Sequence, residues 1–245
     1  MAANLEGKAA AGGPGQFVSV VSHELRLPMT SIRGYADLLL SGQVGPLTER
    51  QADFLDRIRR NVDRMAALVR DLSDLDRLER GRLALPPAAF ELREALEPAL
   101  QELQATFSER NQRFTLEIEA GLRPLYAHRP TVQQVLGQLL RNASLYTPPA
   151  GQVWLQAAAA GDRVEIEVGD NGIGISQTDQ AHLFSPFFRS EDARVRQEAG
   201  WGLGLALTKG LLAAQGGTIA IASGPDEGTA VTVSLPAAAG QEASK

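Results

Sequence analysis

One histidine stands in a setting where it could act as a nucleophile. His23 is one of only three histidines, and it lies in the segment HELRL, directly before Glu24. The Glu24 carboxylate could accept the proton from one ring nitrogen, which would leave the lone pair of the other available for attack. HELRL lacks the second histidine of a zinc-binding helix, which disfavours a metal site. Taken alone, such a residue is more often a surface histidine without a chemical role.

An asparagine further along the chain could bind a divalent cation. Asn142 lies in RPTVQQVLGQLLRNASLY, residues 129–146, where the recurrence of apolar residues predicts a helix. Its amide oxygen is a suitable ligand for Mg²⁺, and Tyr146, one turn later, could stack on a purine. Taken alone, a helical asparagine is more often a solvated or capping amide.

A glycine-rich segment at the end of a predicted strand could approach a nucleotide. The segment is GDNGIGI, residues 169–175, and its glycines let the backbone come close to a ligand. Asp170, at the strand end, could accept a hydrogen bond from an exocyclic amine such as adenine N6. A turn of this composition is also common in ordinary hairpins.

A second glycine-rich segment, GWGLGL at residues 200–205, opens a predicted helix. Backbone N–H groups at such a helix start bind phosphate well. The segment does not follow a strand in a βαβ unit, which argues against a dinucleotide fold. Between the two glycine segments lie LFSPFFR and the polar SEDARVRQEA. They indicate a mobile flap (residues 190–199) behind an aromatic hinge, although the phenylalanines could also be simple core.

The first of the elements that must position these residues is a helical hairpin. From about residue 17 to residue 80, apolar residues recur at spacings of three and four, and SGQVGPLT interrupts them. The predicted apolar face of the first helix includes Ile32 and Tyr35. Thr48, with Gln51 three residues later, predicts a capping box at the start of the second helix. Pro28 predicts a kink or a local loosening in the first helix. We expect His23 to lie nearly opposite the apolar face of that helix, toward solvent.

A single hairpin cannot bury the whole apolar surface that its two helices present. We therefore expect two chains to form a four-helix bundle. The alternative is that the hairpin packs on the rest of its own chain.

The rest of the chain mixes helices with strands. Alternation with period two predicts strands at 113–119, 151–157, 163–169, 217–223 and 229–235. Further helices are predicted at 91–110, 129–146 and 203–215. Because these elements do not follow a strict βαβ order, they favour an α+β sandwich with helices layered on a mixed sheet.

The composition argues against several kinds of partner and site. A net charge of −5 gives no basic field that would attract nucleic acid or an anionic membrane. The chain has no cysteine, so disulfides and thiolate zinc sites are excluded. No apolar run approaches the roughly 20 residues that span a bilayer. We expect a flexible lead-in at 1–15 and a flexible tail at 237–245.

Together and in this order, the motifs resemble those of the histidine kinase family. FVSVVSHELRLPMTSIRGY is similar to its H box, QVLGQLLRNASLYTP to its N box, and EVGDNGIGI to its first glycine box. LFSPFFR resembles the F box and GWGLGLAL the second glycine box. The resemblance covers about residues 17–235. It implies a dimerisation and phosphotransfer hairpin at 16–84, followed by a Bergerat-type ATP-binding domain at 88–236. Gyrase, Hsp90 and mismatch-repair ATPases share that domain but lack an H-box hairpin immediately upstream.

The resemblance also implies roles for single residues. His23 is the implied phosphoacceptor, Glu24 its general base, and Asn142 the implied ligand of Mg²⁺. The other implied ATP-binding residues are Tyr146, Asp170, Gly172, Gly174, Phe188, Arg189, Gly200, Gly202, Leu203 and Gly204. On the flap and at its start, Arg189, Arg194 and Arg196 are candidate phosphate contacts.

As a whole, the resemblance implies an ATP- and Mg²⁺-dependent homodimeric kinase that autophosphorylates a histidine. Such a kinase passes the phosphoryl group to an aspartate of a response regulator receiver domain. We expect a cytoplasmic location for this fragment, with no nucleic acid partner and with a sensor domain upstream that is not in this chain. Whether the parent protein is anchored to a membrane stays open, as do the stimulus and the choice between phosphorylation within and between subunits.

Four positions depart from the family pattern. Leu27 stands where Thr or Asn usually positions a hydrolytic water, which puts phosphatase activity in doubt. Gln138 replaces the first Asn of the N box and Leu145 a common Lys, so nucleotide affinity or turnover could be reduced. Trp201 replaces a small Thr or Ser between the glycines of the second box and could stiffen or shield the flap.

Two alternatives remain open at this point. The first is a degenerate member that binds nucleotide weakly and serves as a dimeric scaffold. The second is a Bergerat-type ATPase without phosphotransfer, for which His23 would have to be incidental. The retained pair of His23 and Asn142 favours the active kinase.

Overall fold

The computed structural model describes residues 14–198 and 200–239. The chain forms two compact units, which divide after Leu83. The predicted lead-in, 1–15, lies outside the described residues up to residue 13, and the predicted tail, 237–245, from residue 240 on. None of the helices in the described part of the chain is long and apolar enough to cross a membrane.

The first unit is a helical hairpin made of α1 (Pro14–Leu40) and α2 (Glu49–Glu79). The predicted capping box at the start of α2 is confirmed. The Gln51 backbone N–H donates to Thr48 Oγ1 at 3.3 Å, and the Thr48 backbone N–H donates to Gln51 Oε1 at 2.8 Å. Helix α1 continues through Pro28.

Within one hairpin, the two helices bury a narrower face than the sequence predicts. Met29 of α1 packs in one cluster with Val62 and Val69 of α2. By contrast, Ile32 and Tyr35, from the predicted apolar face of α1, are 46% and 68% exposed. The hairpin thus has an inner contact of its own and an additional apolar face that it leaves uncovered.

The second unit is a sheet with helices layered on it, which confirms the predicted α+β class. Its helices are α3 (Leu92–Glu109), α4 (Arg129–Tyr146), α5 (Gln177–Gln180), α6 (Ala193–Gln197) and α7 (Gly204–Ala213). Its strands are β1 (Ala88–Phe90), β2 (Arg113–Ile118), β3 (Leu125–Ala127), β4 (Gln152–Ala160), β5 (Arg163–Asp170), β6 (Thr218–Gly224) and β7 (Gly228–Pro236).

The five long strands form a mixed sheet in the order β2-β4-β5-β7-β6. Only β2 and β4 pair in parallel, and the other neighbours are antiparallel. Strands β1 and β3 form a separate antiparallel pair, which the sequence did not predict.

The core lies between one face of this sheet and the helices. In β5 the side chains of Val164, Ile166 and Val168 are buried, whereas Glu165 between them is exposed. Helix α4 packs on β4 and β5 and also contacts α3 and α7. Because alternate side chains of a strand point to opposite faces, the buried residues of β5 all lie on the face of the sheet that α4 covers.

The C-terminal end of α4 is held by the turn between α3 and β2. The side-chain amide of Gln112, which is buried, donates to the carbonyls of Ser144 and Thr147 at 2.9 and 2.8 Å. Ser144 Oγ donates to Gln112 Oε1 at 2.7 Å, and the Arg110 guanidinium donates to the carbonyl of Thr147 at 2.8 Å. The last carbonyls of a helix need such partners, so this turn fixes the helix end that carries Tyr146.

Candidate functional site

His23 and Glu24 lie on α1, in the first unit. Glu24 is exposed, and its role as the general base of His23 stays a prediction. The side chain of His23 lies outside what the structure describes, so its predicted direction toward solvent stays a prediction.

The other predicted residues lie in the second unit, and α4 carries two of them on one stripe. Asn142 and Tyr146 are one turn apart, and both are partly buried. Gln138, one turn earlier, donates from Nε2 to Asn142 Oδ1 at 2.9 Å. The helix ends directly after Tyr146, where Thr147 and two prolines follow.

Asp170 ends β5 and is only 7% exposed. Its Oδ1 accepts the backbone N–H of Gly172 at 2.8 Å. Burial raises the pKa of Asp170 to about 6, while hydrogen bonds from the backbone of Gly172 and Thr229 lower it in part. At neutral pH this carboxyl is therefore an ionised acceptor in a poorly hydrated place.

Close backbone contacts join the loop that follows β5 (residues 171–175, called the Asp170 loop) to α4. A Cβ on Gly172 would lie 2.4 Å from the carbonyl oxygen of Tyr146, so this position requires glycine. The next residue, Ile173, donates its backbone N–H to the same oxygen at 3.2 Å. The structure thus brings together Asp170, Gly172 and the backbone of Tyr146, three of the predicted site residues, whose roles toward a nucleotide stay predictions.

Gly174 ties the loop to the turn between β6 and β7. Its φ is +63°, and a Cβ there would lie 1.8 Å from the carbonyl oxygen of Gly224. In the same turn, the Asp226 backbone N–H donates to the carbonyl of Ile173 at 2.9 Å. Any side chain at Gly174 would both strain the backbone and collide with the turn.

The aromatic hinge and the second glycine segment are also packed backbone against backbone. The Phe187 N–H donates to the carbonyl of Gly202 at 2.9 Å. Gly202 has a φ of +70°, and a Cβ on it would lie 2.3 Å from the carbonyl oxygen of Phe188. Phe187 and Trp201 are 60% and 54% exposed.

The three arginines of the flap region already have partners. Arg189 donates to the carbonyls of Val195, Glu198 and Gly200 at 2.5 to 2.8 Å. The role of the three arginines as phosphate contacts stays a prediction. To bind a phosphate, Arg189 would have to release these carbonyl partners.

Arg194 joins the flap to the β6–β7 turn. It bonds to both carboxylate oxygens of Asp192 and, at 2.7 Å, to Asp226. Arg196 pairs with Glu191, also within the flap.

Helix α7 begins at Gly204, directly after Leu203, which is buried. The side chain of Leu203, the N-cap residue, makes no capping hydrogen bond to this helix start. Its first N–H groups are therefore suited to an anion, as the glycine segment predicts. A Cβ at Gly200 would meet nothing within 4 Å.

The donor set fits a Mg²⁺ ion that is carried by a nucleotide. The described residues contain no group of three or more histidine, aspartate and glutamate side chains that could hold a metal ion. Mg²⁺ is commonly bound through one or two protein oxygens together with substrate phosphates. Asn142 Oδ1 accepts one hydrogen bond and has a second acceptor position, so it can supply one such oxygen.

Sequence reasoning missed two contacts of the site. One is the bond between Gln138 and Asn142, for which the i, i+4 spacing on a helix was the available signal. The other is the pairing of Arg194 with Asp226, which are distant in sequence and carried no joint signal.

Two family models match the chain. Residues 15–81 match the His Kinase A (phospho-acceptor) domain. Residues 127–239 match the domain described as histidine kinase-, DNA gyrase B-, and HSP90-like ATPase.

Curated relatives agree with these matches. The chain is 37% identical over 231 residues to the circadian input-output histidine kinase CikA of Synechococcus elongatus, covering 94% of this chain and 31% of that protein. It is 32% identical over 234 residues to the histidine protein kinase DivJ of Caulobacter vibrioides, covering 96% of this chain and 39% of that protein. The chain thus spans about a third of the length of these curated relatives.

Solved structures give the same result. The full-length structure of ShkA in complex with AMPPNP matches with a TM-score of 0.78 and 26% identity, over 92% of this chain and 47% of that one. The Acinetobacter baumannii histidine kinase AdeS matches with a TM-score of 0.63 and 25% identity, over 89% of this chain and 98% of that one. The phospho-acceptor hairpin, the ATPase-type domain and these relatives together show that the chain belongs to the sensor histidine kinases and forms their catalytic core.

Proposed function

We propose that this chain transfers the γ-phosphoryl group of ATP to His23 and then to an aspartate of a response regulator receiver domain. The observation that supports this most directly is the arrangement around the end of β5. There the buried carboxylate of Asp170 lies beside the loop that contacts the end of α4. Family membership adds the phospho-acceptor hairpin that carries His23.

Each residue of the site has a task that suits its chemistry. Asp170 accepts a hydrogen bond from the exocyclic amine of adenine, and Tyr146 packs near the base. Asn142 offers its amide oxygen to Mg²⁺, and the uncapped start of α7 donates N–H groups to phosphate. ATP supplies the phosphoryl group, while Mg²⁺ offsets its negative charge.

The hairpin performs the chemical step. A ring nitrogen of His23 forms a bond to the γ-phosphorus while the bond from that phosphorus to the bridging oxygen breaks, and ADP leaves. Glu24 accepts the proton that the imidazole loses. Leu27, four residues after His23, has no group that could hold a hydrolytic water, so we expect weak phosphatase activity toward a phosphorylated regulator.

We further propose that the chain acts as a homodimer. The uncovered apolar face of the hairpin, with Ile32 and Tyr35, supports this. Because ATP is the donor, we expect this part of the protein to work in the cytoplasm.

Incubation of the purified chain with γ-labelled ATP and Mg²⁺ tests the proposal. We expect label that is labile in acid and stable in alkali, the behaviour of a phosphorus–nitrogen bond. His23→Gln should abolish it. Asn142→Ala should reduce the rate at least about tenfold, since even the loss of an outer-shell metal contact commonly costs that much.

The outcomes separate the assignments. Label that persists in His23→Gln would show that another residue is the acceptor. A chain that binds nucleotide and takes no label would contradict the kinase and direct attention to Gln138, Leu145 and Trp201.

A further inference from the structure

Gln138 lies between two elements of the candidate site. On α4 it is one turn before Asn142, and its Nε2 donates to Asn142 Oδ1 at 2.9 Å. On its other side it lies against Gly204, the first residue of α7. Gln138 is therefore a direct link between the predicted metal ligand and the predicted phosphate-binding helix start.

The hydrogen bond from Gln138 matches one of the two orientations of the Asn142 amide. An asparagine amide has nearly the same shape after a half-turn, which exchanges its oxygen for its nitrogen. Only the oxygen can bind a cation. In the observed arrangement the N–H of Gln138 faces the oxygen of Asn142, and that oxygen keeps a second acceptor position for a ligand.

The absence of a side chain at Gly204 allows this arrangement. A Cβ there would lie 2.8 Å from Gln138 Nε2 and 2.9 Å from its Cδ. Both distances are shorter than real Cβ contacts, so an alanine would displace the Gln138 amide from its present position. Gly204 thus has a steric role besides its predicted one toward phosphate.

We propose that Gln138 is a positioning residue that orients the Asn142 amide for Mg²⁺–nucleotide binding, and that Gly204 provides the space it needs. This inference rests on the proposed function, in which Asn142 binds Mg²⁺. Gln138 itself contacts Asn142, and it acts on the metal through that residue.

The competing explanation is that Gln138 only fills space between α4 and α7. Gln138→Met distinguishes the two, because methionine keeps the length of the side chain and loses the donor. We would measure the dissociation constant of a non-hydrolysable ATP analogue with Mg²⁺ and with EDTA, together with the melting temperature. Gln134→Met, at an exposed glutamine one turn earlier on α4, is the matched control.

We expect Gln138→Met to reduce the gain in affinity that Mg²⁺ provides by about fivefold, the usual value of one hydrogen bond. Affinity in EDTA and the melting temperature should stay as in the wild type and in Gln134→Met. An equal loss with Mg²⁺ and with EDTA, or no loss at all, would overturn the positioning role. A wild-type chain whose affinity does not depend on Mg²⁺ would overturn the metal role of Asn142 as well.

A second pair of variants tests the part of Gly204. Gly204→Ala alone should also reduce the Mg²⁺-dependent gain, because its methyl group displaces the Gln138 amide. In a Gln138→Ala background the methyl group has room, so adding Gly204→Ala should reduce the gain no further. A full additional loss in that background would show that Gly204 acts independently of Gln138 and would overturn this part of the inference.

Discussion

At the scale of single residues, Asp170 combines burial with two backbone hydrogen bonds, and these act on its pKa in opposite directions. Burial is the larger effect, and it raises the pKa from 3.8 to about 6. Between these two values the folded chain binds more protons at Asp170 than the unfolded chain does. The free energy of unfolding therefore falls, through this group, as the pH rises from about 4 to about 6.

Nucleotide affinity should depend on Asp170 in the opposite direction and fall as the pH falls. The reason is that only the ionised carboxylate is a full acceptor for the adenine amine. We expect affinity to be constant above about pH 7 and to fall by up to about tenfold at pH 5, where roughly a tenth of Asp170 is still ionised. The measurement is a pH series of nucleotide titrations.

Asp170→Asn is the control, because this variant lacks the titrating carboxyl while the phosphates of the nucleotide still titrate. The difference between the two pH profiles isolates Asp170. Parallel profiles would show that this carboxyl does not contact the base.

At the scale of elements, the flap is joined to the β6–β7 turn, and that turn is joined to the Asp170 loop. Arg194 bonds to Asp226 at 2.7 Å, and the Asp226 backbone N–H bonds to Ile173. The position of the flap is thus connected through one ion pair to the loop that we expect to bind adenine.

We expect Asp226→Asn to accelerate nucleotide dissociation by about two- to fivefold. Arg194 and Asp226 are both largely exposed, and an exposed ion pair contributes about 1 kcal/mol or less. Stopped-flow release of a fluorescent ADP analogue measures the rate, and the effect should shrink at high salt.

Glu191→Gln is the control, since it breaks an ion pair with Arg196 that stays within the flap. Equal acceleration in both variants would mean that flap charge in general matters and the connection to Asp226 does not.

The sequence predicted elements well where a local signal existed. Helix α4 has the predicted bounds, and the capping box of Thr48 and Gln51 is present. Strands β1 and β3 have three residues each, too few to show an alternation. The inner contact of the hairpin at Met29 was missed for another reason. Two apolar faces overlap on α1, and periodicity alone does not say which one meets α2.

The candidate site shows the same division. Glycines that flank a strand end or open a helix can be recognised from sequence. Positions 172 and 174 require glycine, because a Cβ there would lie 2.4 Å and 1.8 Å from a backbone carbonyl oxygen. Arg194 and Asp226 meet because the flap and the β6–β7 turn are adjacent in space, which no local pattern reports.

At the scale of the whole molecule, the uncovered face of the hairpin predicts the oligomeric state. Besides Ile32 and Tyr35 of α1, it includes Phe54, Ile58 and Met65 of α2, which are 44 to 51% exposed. We expect a dimer for the wild type in light scattering and a shift toward monomer for Ile58→Asp, because a buried carboxylate opposes association.

Arg60→Glu, at an exposed position two residues further on α2, controls for the added negative charge and should leave the dimer intact. A monomeric wild type at micromolar concentration would contradict the four-helix bundle.

The bonds that Gln112 and Arg110 make to the end of α4 have a consequence for the entropy of binding. They hold the backbone around Tyr146 through hydrogen bonds between protein groups of the second unit. A receptor whose contact groups are ordered in advance loses less conformational freedom when its ligand arrives. On this side of the site, the ordering cost has therefore been met during folding, before any nucleotide binds.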